Sequence, residues 1–150
     1  MSGTAGAVDW PAWVEGRRDI FERSPSLNKH IGLNLEDAGP GWARMRMELV
    51  PGVMNPFGSV HGGAIAALID SAAGSAIAAG CAPDSDRIMG TIDMQVHFLE
   101  RGKGAALIAE ARMVRAGRAV AVASAEVHDE SGTLVAMGTA TYRMGAGLPP

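Results

Sequence analysis

Apolar and polar positions alternate with period two over residues 42–50. Ala43, Met45, Met47 and Leu49 fall on one face, and Trp42, Arg44, Arg46 and Glu48 on the other. This pattern predicts a strand with one buried face. Residues 91–98 alternate too, with Ile92, Met94, Val96 and Phe98 opposite Thr91, Asp93, Gln95 and His97. Three further strands are predicted over 105–114, 119–129 and 133–144, separated by hairpin turns at 115–118 and 130–132. A strand over 31–36 precedes the turn Gly39-Pro40-Gly41. Residues 10–23 have helical spacing, opened by Asp9 and Pro11, with Trp13, Val14, Ile20 and Phe21 as the apolar members. Residues 51–60 and 81–89 read as loops.

One segment fits neither an alternating strand nor a two-faced helix. Residues 62–82 read GGAIAALIDSAAGSAIAAGCA, with Asp70 as the single charge. Small and apolar side chains cover every helical face, which predicts a buried helix over 62–79. The run is long enough to span a membrane. Its central carboxylate, its serines and its weakly hydrophobic alanines argue against that placement. Consecutive strands with short turns imply an antiparallel meander, and the order is helix, two strands, one long apolar helix, then four strands. An α+β fold satisfies it, with one curved antiparallel sheet wrapped around the long helix. A single domain over 1–150 is expected, with an N-terminal helical extension over 1–30.

The 150 residues are 47% apolar with a net charge of -3. That excludes the basic footprint of a nucleic-acid binder. One cysteine, Cys81, excludes an internal disulfide framework and fits a cytoplasmic setting; it reads as a small hydrophobe at a helix end. The first residues carry no basic start followed by an apolar run, so no signal peptide is expected.

The chemistry centres on Asp70. A carboxylate in an apolar wall is costly unless something uses it or pairs with it. At the head of the same helix stands His61-Gly62-Gly63. Two glycines at a helix start leave backbone N–H groups uncovered, and with the helix dipole they can hold an oxyanion or a polarised carbonyl. Gly62 and Asp70 are eight residues apart, about 12 Å along an α-helix. If they cooperate, they do so between chains, and a two-fold dimer supplies the pair twice. The residues alone leave open a competing arrangement, Asp70 paired with an arginine in the core.

The run Asn55-Pro56-Phe57-Gly58-Ser59-Val60-His61-Gly62-Gly63, followed by Asp70, resembles the N-x-x-G-x-x-H-G-G-x6-D pattern of the PaaI-like hotdog-fold acyl-CoA thioesterases. The resemblance covers roughly residues 31–144 and leaves out the N-terminal thirty. It implies a hotdog fold, dimers that often pair into homotetramers, and no metal or separate cofactor, coenzyme A being part of the substrate. Carried over by position, it implies that the Gly62 amide polarises the thioester carbonyl and that His61 orients the loop near the sulfur. Asn55 would help position the water or the carboxylate. Asp70 of the partner chain would be general base or nucleophile, and Thr91 would hold the lytic water. Gly63 would belong to the substrate cradle, and Arg115, Gly117 and Arg118 of one turn would meet the coenzyme A phosphates. The expected substrates are aryl-acetyl or medium-chain acyl-CoA thioesters. A thioester is already activated and its thiolate leaves readily, so a polarised carbonyl and a carboxylate-assisted attack suffice.

The other polar residues have simpler readings. Asp93 and His97 lie on a polar strand face, His30 and His128 near element ends, and Arg101 and Lys103 beside turns. No metal-ligand spacing, nucleophile elbow or phosphate-binding glycine loop is present. Two further functions compete. A non-catalytic acyl-CoA-binding hotdog domain would lack the carboxylate or carry a DNA-binding segment. A hydratase on the same fold would carry an Asp/His pair about a turn apart.

Overall fold

The structure, a computed structural model, describes residues 7–23, 25–81 and 88–145. Helix α1, Trp10–Arg23, opens where the sequence marks it: the Asp9 carboxylate accepts from Ala12 N–H at 3.1 Å, and the Asp9 carbonyl from Trp13 N–H at 2.9 Å. The short helix α2, Leu27–His30, is capped by Ser26. Strands β1 (Leu33–Gly39) and β2 (Trp42–Glu48) form a hairpin, and helix α3 spans Gly62–Gly80. Strands β3 (Ile88–Phe98), β4 (Ala106–Ala116), β5 (Val120–Asp129) and β6 (Leu134–Met144) complete the fold.

The six strands form one antiparallel sheet in the order β1-β2-β4-β5-β6-β3. Helix α3 touches all six and fills the concave side. This is the α+β hotdog arrangement that the resemblance implies. Alanine makes it possible: Ala72, Ala73 and Ala76 of the helix and Ala43, Ala109 and Ala123 of the sheet are all fully buried, so small surfaces meet and the sheet comes close. Leu68, Ile69 and Ile77 fill the remaining space with no exposed surface. Burial of each such side chain is worth about 1.5–3 kcal/mol. The helix is long and apolar enough to cross a membrane by length and composition, and most of it is spent on this core.

The structure corrects several expectations. β1 begins two residues later than expected and runs to Gly39, and β3 begins at Ile88 inside the expected loop over 81–89. The rest of that loop, 82–87, lies outside the described residues. β3 does not neighbour β4. The chain crosses from β2 through α3 to the far edge of the sheet, and β4 returns beside β2, so only β4, β5 and β6 form a meander. On β3 the expected inward face is incomplete: Met94 and Val96 pack on the core, whereas Ile92 and Phe98 are exposed. A register shift between Thr91 and Asp93 breaks the alternation, and among the described residues no strand lies beside the outer edge of β3. Ile20 of α1 is exposed as well.

Helix α3 is not buried on every face. Ala66, Ala67, Asp70, Ser71 and Gly74 recur at helical spacing and form a partly open stripe. Composition cannot reveal this stripe, because its residues are as small as those facing the sheet.

Candidate active site

Asp70 sits on that stripe, mid-helix, beside the first residues of β3 around Thr91. Thr91 and Tyr142 lie directly opposite one another on β3 and β6, and both reach it. Thr91 Oγ1 donates to Asp70 Oδ1 at 2.7 Å, and the Tyr142 hydroxyl donates to the same oxygen at 2.7 Å. The tyrosine hydroxyl also touches the Asp70 carbonyl, so its single proton serves one acceptor at a time. Burial pushes the Tyr142 hydroxyl well above the usual tyrosine range; the Asp70 carboxylate adds to the rise and the hydrogen bond with Thr91 opposes it. Tyr142 therefore stays protonated and remains a donor at neutral pH. With both donors on Oδ1, Asp70 Oδ2 has no partner among the described residues. No lysine or arginine forms an ion pair with Asp70 among those residues, which removes the competing arrangement of a core salt bridge.

Gly74 makes room for this clasp. It lies one turn after Asp70, and a Cβ built there would stand 2.9 Å from the Tyr142 oxygen. A cleft of about 410 Å³ opens beside Asp70, Thr91 and Tyr142. Ser71 and Gly74 of α3 form one wall, and Arg17, Phe21 and Asn28 of the N-terminal segment form another. Ser71 Oγ donates to Asn28 Oδ1 at 3.2 Å, tying the two walls together.

The head of α3 faces a different cleft. His61 is its N-cap, and Nδ1 accepts from Gly63 N–H at 2.8 Å. That bond places the ring proton of a neutral imidazole on Nε2. The Gly63 amide is thus engaged, while the Gly62 N–H has no acceptor among the described residues. His61 and Gly63 line a cavity of about 290 Å³ with Val53, Met54 and Ala67; Asp70 is not in its wall. Within one chain, the amide end of the helix and the carboxylate serve separate hollows.

Asn55 clasps the loop before the helix. Its Oδ1 accepts from Phe57 N–H at 2.9 Å and Ser59 N–H at 3.1 Å, and its N–H donates to the Ser59 carbonyl at 2.7 Å. Gly58 sits at φ +76°, where a side chain would be strained. The loop leaves Phe57 84% exposed, an unusual position for a large aromatic ring. Arg115, Gly117 and Arg118 lie on the exposed β4–β5 hairpin and line neither cleft.

The motif residues are legible in the sequence, whereas the motif contains nothing that points to Tyr142. It is the chain's single tyrosine, and it falls on the apolar face of a strand between Ala140 and Met144. A hydroxyl on such a face needs a partner, and that signal points inward to the helix. Arg17, Phe21 and Asn28 lay outside the resemblance altogether.

Comparison with known proteins adds an independent finding. Residues 57–136 match the family described as the thioesterase superfamily. The medium/long-chain acyl-CoA thioesterase YigI of Salmonella typhimurium is 31% identical over 140 residues, covering 85% of this chain and 90% of that protein. A thioesterase-superfamily-related protein of Shewanella oneidensis has a solved structure with TM-score 0.78 and 26% identity, covering 90% of this chain and 97% of that one. The PaaI protein of the E. coli phenylacetic acid degradation operon shares the fold, with TM-score 0.74 and 20% identity over 90% of this chain and 94% of that one.

Proposed function

Given that the chain belongs to the thioesterase superfamily and is a thioester hydrolase, we propose that it hydrolyses acyl-CoA thioesters, with aryl-acetyl or medium-chain acyl groups, at a site shared between two copies. The observation that carries this reading is the clasped carboxylate: Asp70 lines the cleft and is held by Thr91 and Tyr142 on one oxygen, while the other has no hydrogen-bond partner among the described residues. A fixed carboxylate with one unengaged oxygen is suited to carboxylate-assisted attack on an acyl carbon. The carbonyl needs a donor opposite, and the Gly62 N–H at the positive end of α3 is such a group. His61 orients that end of the helix through its bond to Gly63, and Asn55 fixes the approach loop. Thr91, already on the carboxylate, is positioned to hold the attacking water. The Gly63 cradle and the Arg115, Gly117 and Arg118 turn are proposed contacts for the coenzyme A moiety.

Two features support a homo-oligomer. The partly open stripe on α3 carries Asp70, and the eleven-residue strand β3 offers an unpaired edge flanked by exposed Ile92, Phe98 and Leu99. Such an edge is a template for another chain. A second copy would bring its Gly62 to this Asp70 and cover both. No further cofactor is required by this chemistry, and a cytoplasmic location is proposed on the same footing.

The test is release of free thiol from a panel of aryl-acetyl and straight-chain acyl-CoA esters. Wild-type protein should cleave at least one class. Asp70→Asn keeps the shape and the hydrogen-bond acceptor, so turnover should fall about 10²–10⁴-fold, the weight of a general base, with melting temperature little changed. A variant that still turns over normally would remove Asp70 from the mechanism.

A further inference from the structure

Two adjacent arginines of α1 have different fates. Arg18 is committed to the fold: its guanidinium donates to the carbonyls of Leu35 at 2.6 Å and Glu36 at 2.8 Å, and pairs with Glu15. Arg17 pairs with no carboxylate among the described residues. Its guanidinium lies 5.0 Å from the centre of the Trp13 ring, a contact that fixes its position without neutralising its charge. It faces the cleft that contains Asp70. The same cleft is lined by the apolar Phe21, Ala78 and Ile88 as well as by Asn28, Ser71 and Ser75. Along α3 that cleft runs from Asp70 to Ala78, about 12 Å of helix.

We propose that Arg17 is a substrate-binding residue that engages an anionic oxygen of the thioester, and that the N-terminal segment thereby sets specificity. This rests on the thioesterase reading above. A substrate with its reacting carbonyl at Asp70 shares its cleft with a guanidinium held by Trp13 and paired with no carboxylate among the described residues. A planar guanidinium with no carboxylate of its own is built to receive a carboxylate or phosphate. The anionic oxygen has two chemical sources: a carboxylate at the far end of the acyl chain, or a phosphate of the coenzyme A carrier.

Four thioesters separate them: hexanoyl-CoA, adipoyl-CoA, and the same two acyl groups on N-acetylcysteamine, which carries no phosphate. Wild-type protein is compared with Arg17→Met, which keeps the apolar stem, and Arg17→Lys, which keeps the charge. If the acyl carboxylate is bound, Arg17→Met lowers kcat/KM for the adipoyl esters on both carriers about tenfold or more relative to the hexanoyl esters, through KM, the weight of a charge-assisted hydrogen bond. Arg17→Lys recovers part of the loss. If the carrier phosphate is bound, Arg17→Met weakens both coenzyme A esters alike and spares both cysteamine esters. Identical kinetics for all four esters in wild type and Arg17→Met would overturn the proposal. If wild-type protein cleaves none of them and none of the aryl-acetyl and straight-chain panel above, the thioesterase reading fails by itself. Titration calorimetry with adipate and with desulfo-coenzyme A then decides Arg17: weaker binding to Arg17→Met upholds it, and unchanged binding refutes it.

Discussion

At the scale of single residues, the site depends on a glycine as much as on its carboxylate. Gly74 leaves the space through which the Tyr142 hydroxyl reaches Asp70. Gly74→Ala improves helix propensity by up to about 1 kcal/mol, yet its methyl group would stand only 2.9 Å from the phenol oxygen, which must shift. The expected result is a melting temperature within a few degrees of wild type and turnover reduced about tenfold. Tyr142→Phe removes the hydroxyl and with it the nearest of the crowding atoms. The double variant should then be no slower than Tyr142→Phe alone, a non-additivity that marks direct coupling. Strictly additive losses would show that Gly74 acts elsewhere. The motif residues were readable because they stand in one contiguous run with fixed spacing. Tyr142 was not, because it lies 72 positions from Asp70 and meets it through the pairing of β6 with β3.

At the scale of elements, the β5–β6 hairpin shows how a turn is fastened by one carboxylate. Asp129 is 4% exposed and accepts from the Ser131 hydroxyl at 2.6 Å and from the backbone N–H groups of Ser131, Thr133 and Lys103. These donors, the serine hydroxyl foremost, hold its pKa down to about 2, against an ordinary value of 3.8. A depressed carboxylate contributes stability that is complete above the ordinary value and is lost as the pH falls through the window toward 2. Asp129→Asn should melt lower than wild type at neutral pH and show a flatter fall of melting temperature between about pH 4.5 and 2. Parallel melting curves for the two proteins across that range would contradict this account. The six strands, α1 and α3 were legible from periodicity, with no end more than three residues from its expected place, whereas the four-residue α2 was not. The break in β3 was not legible, because the register shift at Thr91 answers to its pairing with β6 and not to its own composition.

At the scale of the whole molecule, the separation of the two half-sites makes a prediction that no single-chain enzyme would share. Asp70→Asn and Gly62→Val each disable both sites of a symmetric dimer. Mixed by unfolding and refolding together, half of the dimers are heterodimers, and each of these carries one site with both native residues. About a quarter of wild-type turnover should return. Dimers shown to be mixed, yet inactive, would place both residues in one chain's site. The exposed Phe57, the unpaired edge of β3 and the open stripe of α3 belong to the same picture: surfaces that a single copy leaves uncovered.

The amino-acid sequence by itself determined the order and kind of the elements, because hydrophobic period and turn chemistry are local properties. It also marked Asp70, as a charge that an apolar helix could not carry without a use. The tertiary structure alone decided which face of α3 stays open, since alanine and glycine suit either side. It alone brought Tyr142 and Thr91 onto one carboxylate oxygen and set Arg17 in the wall of the same cleft, because those meetings are made by sheet pairing and helix docking between residues far apart in the chain.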